Sequence, residues 1–175
     1  FLLNKVLSVI KEGLFAHSVA FFWANRDKQQ MVMEARVTES DLFFTSRRFP
    51  MGHDLVSKVA LTGRPEFITD VNPMSETEMF RYYDRPASVK SFVGVPVFFS
   101  TGVDDPSAER QIAVIAVDSK AVDDFGPETL VLMGRFTKLV SAIIKSYNDK
   151  YDLILDSELL SSIRRLHDRI RGDFS

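Results

Sequence analysis

Few side chains in this sequence could do chemistry, and they do not cluster. Cysteine is absent, which excludes a disulfide framework, a thiolate zinc site and a cysteine nucleophile. His17, His53 and His167 stand far apart, and none has a partner at metal-ligand spacing. Haem held by a single His gains no support from its neighbours. His17 falls where a strand begins and His53 in a turn before a helix, places that suit structural or surface roles. Asp104-Asp105 and Asp123-Asp124 are adjacent carboxylates in loop-like sequence, where such pairs are ordinarily just solvated. No Gly-rich phosphate loop, nucleophile elbow or spaced carboxylate pair occurs. These absences predict a domain that is not an enzyme and holds no metal; its cofactor, if it has one, is unknown.

The elements that must position any site are easier to read. With 175 residues, 45% hydrophobic and 26% charged, the chain can bury the core of one domain and carry one long appended element. Its 15 Phe residues favour a core of flat side chains or an aromatic-lined pocket. A net charge of -2 gives no general attraction to nucleic acid or to an anionic membrane. No apolar run nears the ~20 residues of a membrane span. The expectation is a cytoplasmic piece, beginning at Phe1, of a longer protein that could itself be membrane-anchored.

Leu3, Leu7, Ile10 and Leu14 recur at helical spacing, predicting a helix over 1–12 with Gly13 suited to a left-handed end. His17–Asn25 and Gln30–Thr38 read as a hairpin about the turn Asn25–Lys28, with Met31, Met33, Ala35 and Val37 on one face. Short strands are expected within Phe43–Pro50 and at Glu66–Ile68, and a helix over Asp54–Leu61 with Gly63 past its end. Asn72–Ala87 is polar and irregular, with a helical turn around Glu76–Tyr83. Ser88–Phe99 is a strong strand, and the apolar run Gln111–Asp118 suits a central strand covered on both faces. Gly126-Pro127-Glu128 opens a helix, and no breaker occurs from there through Arg171. The fold class is α+β: an antiparallel sheet with helices on its faces.

Four of these segments, in order, resemble the GAF family. They are Met51-Gly52-His53-Asp54-Leu55-Val56 through Thr62-Gly63-Arg64-Pro65 to Ile68-Thr69-Asp70-Val71; Ser91-Phe92-Val93-Gly94-Val95-Pro96; Ile112–Val117, with Ala113 where the family usually places Gly; and Phe125-Gly126-Pro127-Glu128. The resemblance implies a central antiparallel sheet of five or six strands, terminal helices on one face, and loops on the other closing over a pocket. It divides the chain into a GAF-like sensory domain over 1–147 and a C-terminal linker helix over 148–175. By similarity the pocket lies under Phe67–Asp70, Met79–Ala87 and the start of the Ser88 strand. The ligand candidates are then Phe67, Thr69, Tyr82, Tyr83, Arg85, Ser88, Lys90 and Ser91. Rings with a few convergent donors suit a planar polar ligand, and Arg85 and Lys90 suit its carboxylate or phosphate. The plainer reading is that the tyrosines anchor a loop and the two cations are solvated. The family's cyclic-nucleotide pattern is missing, because Phe125 is not followed by an acidic pair. Its covalent bilin site and its methionine-sulfoxide-reducing branch both need Cys.

The C-terminal segment suggests a second role. Phe136, Val140, Ile143 and Tyr147 step by 4, 3 and 4, as do Leu159, Ile163, Leu166 and Ile170, which is heptad spacing. Between the two sets Tyr147, Tyr151, Leu155 and Leu159 step by 4, so the phase slips. Self-packing on the sheet and a dimer seam both fit. Ile163-Arg164-Arg165-Leu166-His167-Asp168 also loosely resembles the phosphoacceptor helix of some sensor kinases, although the residues after it do not continue that pattern. The expected function is a non-catalytic sensory domain that binds a small ligand and signals through its terminal helices to a linked output domain. The alternative is a ligand-free dimerisation module, favoured if aromatics and methionines fill the pocket. Either way a parallel homodimer is expected through Phe136, Val140, Ile143, Tyr147, Leu159 and Ile163, with no nucleic acid and no direct membrane contact.

Overall fold

The most apolar strand segments lie side by side at the centre of the sheet. In the computed structural model, which describes residues 2–44, 46–99 and 111–146, these are β1 (Ser18–Asn25) and β6 (Gln111–Ser119). β2 (Gln30–Thr38) and then β3 (Arg48–Pro50) extend the sheet beyond β1. β4 (Glu66–Ile68) and β5 (Ser91–Phe99) extend it beyond β6, giving a six-stranded antiparallel sheet of order β3-β2-β1-β6-β5-β4. The predicted α+β class and strand count both hold.

Period-two alternation sends each strand's residues to two separate layers. Ala20, Phe22, Ala24, Phe92, Ile112, Val114 and Ala116 join one core with Leu55, Val56 and Val59 of α2 (Leu55–Thr62) and with Phe80, Tyr82 and Tyr83. The last three come after a 3-10 turn (Pro73–Ser75) and the one-turn helix α3 (Glu76–Met79). Val19, Phe21, Val93, Val95, Ile115 and Val117 are equally buried but lie outside that core. The opposite layer covers them, with Leu3, Leu7 and Ile10 of α1 (Leu2–Gly13) and Met133 and Val140 of α4 (residues 127–146). The chain parts into two compact units between Ser141 and Ala142. The sheet and both of its layers belong to the first.

Three local expectations change. Gly13 stays within α1, and the left-handed residue is Phe15 at φ 52°, because the chain turns two residues later than the glycine suggests. Met31, Met33, Ala35 and Val37 do not share a face. Phe22 pairs with Met33 and Phe21 with Ala35, so a β-bulge absorbs Glu34 and turns the rest of β2 over. Met31 and Met33 are therefore core, while Ala35 and Val37 are half-buried on the α1 side. β5 begins at Ser91, not Ser88, because Ser88 sits at φ 60° and breaks the extended run.

Candidate functional site

Near its end β6 carries Asp118, on the same face as Val114 and Ala116 and directly across from Ser18 of β1. Its carboxylate is wholly buried. Oδ2 accepts hydrogen bonds from the Tyr83 hydroxyl at 2.7 Å and the Tyr82 hydroxyl at 3.0 Å. Oδ1 is buried with no partner. The Tyr83 oxygen also meets Ser18 Oγ at 2.8 Å, and Ser18 Oγ meets Thr38 Oγ1 at 2.5 Å. Two hydroxyls thus join the buried carboxylate to that of half-buried Thr38 at the end of β2.

The two tyrosines sit inside an aromatic cluster. The Tyr82 and Tyr83 rings lie 4.9 Å apart between centroids and tilted by 38°, Phe43 lies 4.9 Å from Tyr83, and Phe22 lies 5.6 Å from Tyr82. Arg36 covers the outer face of Phe43 at 5.3 Å. Burial is the main force on Asp118 and pushes its pKa up to about 7; the two phenols and the Ser18 backbone oppose it, and the Glu76 charge adds to it. Burial, and after it the Asp118 charge, raises both tyrosines above the ordinary phenol range.

The segment bearing the tyrosines is fastened at both ends. Glu76 is buried, and its Oε1 accepts the backbone N–H of Ala87 at 2.8 Å and of Val89 at 3.0 Å, on either side of the left-handed Ser88. The Phe44 N–H donates to the Tyr82 carbonyl, and the Asp84 N–H to the Leu42 carbonyl. Residues 76–89 therefore form a cover over Asp118. The space bounded by Glu76, Phe80, Tyr83, Arg85 and Pro86 has no room for a water molecule.

Of the eight residues expected to line a pocket, the structure brings only Tyr82 and Tyr83 to one point. Phe67, opposite Val93, belongs to the other face of the sheet and is 41% exposed. Thr69, Arg85 and Ser88 are exposed and Lys90 is half-buried. Ser91 is a structural pin, donating to the Thr69 and Ala121 carbonyls at 3.2 and 2.5 Å. Sequence reading missed Asp118, Glu76 and Ser18. The available signal was a lone acid closing an apolar central strand.

A wide groove of about 740 Å³ lies elsewhere, among Lys11, Phe15, His17, Glu39, Lys120 and Asp124. Its charges largely offset one another: Lys11 Nζ is 2.9 Å from Glu39 Oε1, and burial, helped by Lys120, lowers the pKa of His17. His17 Nε2 is also buried without a partner there. The groove, however, is a wide surface lined by cations and carboxylates together, whereas Asp118, where we place the chemistry, stands enclosed among aromatic rings. Among the described residues no group of three or more His, Asp or Glu could hold a metal, and no helix could cross a membrane. Of the expected seam, Val140 is already wholly buried in one chain, while Phe136 and Ile143 are half-buried. Tyr147, Leu159, Ile163 and the His167 motif lie outside the described residues.

The sequence matches the GAF domain family over residues 2–145, and no curated protein matches it. Among solved structures it is similar to a free methionine-R-sulfoxide reductase from Neisseria meningitidis, in complex with its substrate. That match has 22% identity and a TM-score of 0.61, over 80% of this chain and 74% of that one. A type II free methionine-R-sulfoxide reductase from Thermoplasma acidophilum matches at 18% identity and a TM-score of 0.62, over 83% and 91%. The GAF domain of a phosphoenolpyruvate-protein phosphotransferase from Coxiella burnetii matches at 15% and 0.60, over 85% and 83%. These neighbours overturn the expectation that the domain is not an enzyme: two of the three are enzymes, so the fold alone does not exclude catalysis. Matched along most of its length and built on the same sheet, the chain belongs to the GAF domain family.

Proposed function

We propose that this GAF domain is a sensory and regulatory unit whose small-molecule site is centred on Asp118, and whose terminal helices pass the bound state to a linked cytoplasmic output domain. The observation that carries this reading is the partnerless, fully buried Oδ1 of Asp118 among aromatic rings. An unpaired buried acceptor is costly, and such atoms concentrate where a ligand or a functional change supplies the missing donor. The chemistry that fits is a small molecule with an ammonium or other N–H donor for Oδ1 and a flat or apolar body for the rings of Phe22, Phe43 and Phe80. Tyr82 and Tyr83 now fill that space, so the ligand enters when the cover lifts.

Native mass spectrometry of the purified chain tests it. A small basic molecule should co-purify with the wild type and be lost in Asp118→Ala. A wild-type mass with nothing bound, and no thermal shift with a panel of primary amines, would sink the reading.

A second reading rests on a separate observation. The aromatic side chains leave no space beneath residues 76–86, which favours a ligand-free interaction module. Both readings include association through the terminal helices. Support for that comes from exposed Leu2 and Val9 on α1 and Val131, Leu132 and Leu139 on α4.

A further inference from the structure

The cover and the carboxylate beneath it are coupled electrostatically. We infer that Asp118 is a proton-operated latch on the 76–89 cover: protonated, it favours the closed, dry arrangement, and ionised, it favours an opened, hydrated one. This rests on the reading of Asp118 as the centre of the site and adds the control of its access.

The geometry supplies each part of the device. The groups facing Asp118 are Tyr82 and Tyr83 from the cover, Ser18 from β1, Glu76 from α3 and the apolar ring of Phe92 from β5. None is a cation, and no Lys, Arg or His forms an ion pair with Asp118 among the described residues. The closed state therefore holds the charge with two phenol hydrogen bonds and the Ser18 backbone but no cation, while a second carboxylate stands nearby. Lifting the cover would hydrate Oδ1 and remove the desolvation that opposes the charge. The opened state thus binds the proton less tightly than the closed one. By linkage, opening becomes easier as pH rises between the ordinary carboxylate range and the raised value of the closed state.

The structure also gives the proton a route. Ionised Asp118 only accepts, so Tyr83 donates to it, Ser18 donates to Tyr83, and Thr38 donates to Ser18. Each hydroxyl can take one proton from its outer neighbour and pass one inward. The net change is one proton from water at Thr38 to Asp118 Oδ2, with the three hydroxyls restored once they rotate back.

Hydrogen exchange of the ligand-free chain tests the latch, read as protection factors at the Asp84, Ala87 and Val89 amides so that the intrinsic pH dependence cancels. Protection in the wild type should fall about tenfold or more between about pH 5 and about pH 8. Asp118→Asn should show high protection with no such fall. Tyr83→Phe removes a hydrogen bond that favours the charge and should move the fall to higher pH. Protection that does not change with pH in the wild type, or the same fall in Asp118→Asn, overturns the latch. If Asp118→Asn does not fold, an unmoved fall in Tyr83→Phe overturns it. No ligand is added, so a flat profile leaves the ligand site standing, and a ligand-free mass spectrum leaves the latch standing.

Discussion

A carboxylate enclosed by aromatic rings fixes the sign of one contribution to stability. Asp118 has its folded pKa raised to about 7 from an ordinary 3.8, chiefly by burial, so the folded chain binds this proton more tightly than the unfolded chain does. The contribution is fully present below the unfolded value and is lost as pH rises through about 7. Denaturant unfolding at about pH 5 and about pH 8 should show a loss on the order of 1 kcal/mol or more, absent in Asp118→Asn. Equal slopes in the two proteins would refute this. Gly94 is constrained by space instead. A Cβ there would stand 2.8 Å from Phe92 Cζ and 3.2 Å from Val59 Cγ2, both in the packed core. Gly94→Ala should cost about 1–3 kcal/mol in the same measurement. The strand holding Gly94 was legible, since its motif was recognisable, but the Phe92 ring folding back over it was not. Asp118 was visible only as the end of a strand, because nothing within its own segment reveals that residues 35 and 36 positions away supply its hydrogen bonds.

The elements that fasten the cover depend on single acceptors. Glu76→Ala would leave the Ala87 and Val89 N–H groups buried without a partner, at about 1–3 kcal/mol each. Glu76→Gln keeps a carbonyl oxygen in that place and should recover most of the loss, as thermal melting would show. Equal melting of the two variants would mean that the acceptor does not fasten the cover. α2 is set by its ends. Asp54 caps it by accepting from the Ser57 N–H at 3.1 Å, and Gly63 closes it at φ 66°. The glycine's role was legible, because C-capping chemistry is local, whereas Asp54 was read as the first helical residue and not as the cap. The bulge in β2 was not legible. Alternation extended the face of Met31 and Met33 to Ala35 and Val37, whereas the extra residue, Glu34, is inserted by pairing with β1. The left-handed turns at Phe15 and Ser88 escaped because neither is a glycine. At Phe15 the local bonds are from its own N–H to the Glu12 carbonyl and from the Ala16 N–H to the Lys11 carbonyl, and Ser88 lies between the two amides that Glu76 holds.

For the molecule as a whole, the sheet separates two jobs. One layer holds Asp118 and its cover, and the other holds α1 and α4, so the latter can associate without disturbing the site. Heptad spacing identified Phe136, Val140 and Ile143 without saying which side they serve. Burial now separates them, since Val140 belongs wholly to its own domain's core. On the described parts of α1 and α4 the large apolar side chains left uncovered are Leu2 and Val9 at 54% and 56% exposure, and Val131, Leu132 and Leu139 at 66%, 37% and 48%. Leu2 and Val9 are two turns apart on one side of α1, as Leu132 and Leu139 are on α4. Because both helices cover the same sheet face, one two-fold contact could bury both stripes as a four-helix bundle. Leu132→Asp and Leu139→Asp should then shift the chain from dimer to monomer in sedimentation velocity while leaving its melting temperature nearly unchanged, because each places a charge in the seam but not in the core. Val140→Asp should instead unfold the domain. A wild-type monomer at high concentration would refute the seam, and so would dimers that persist in both surface variants.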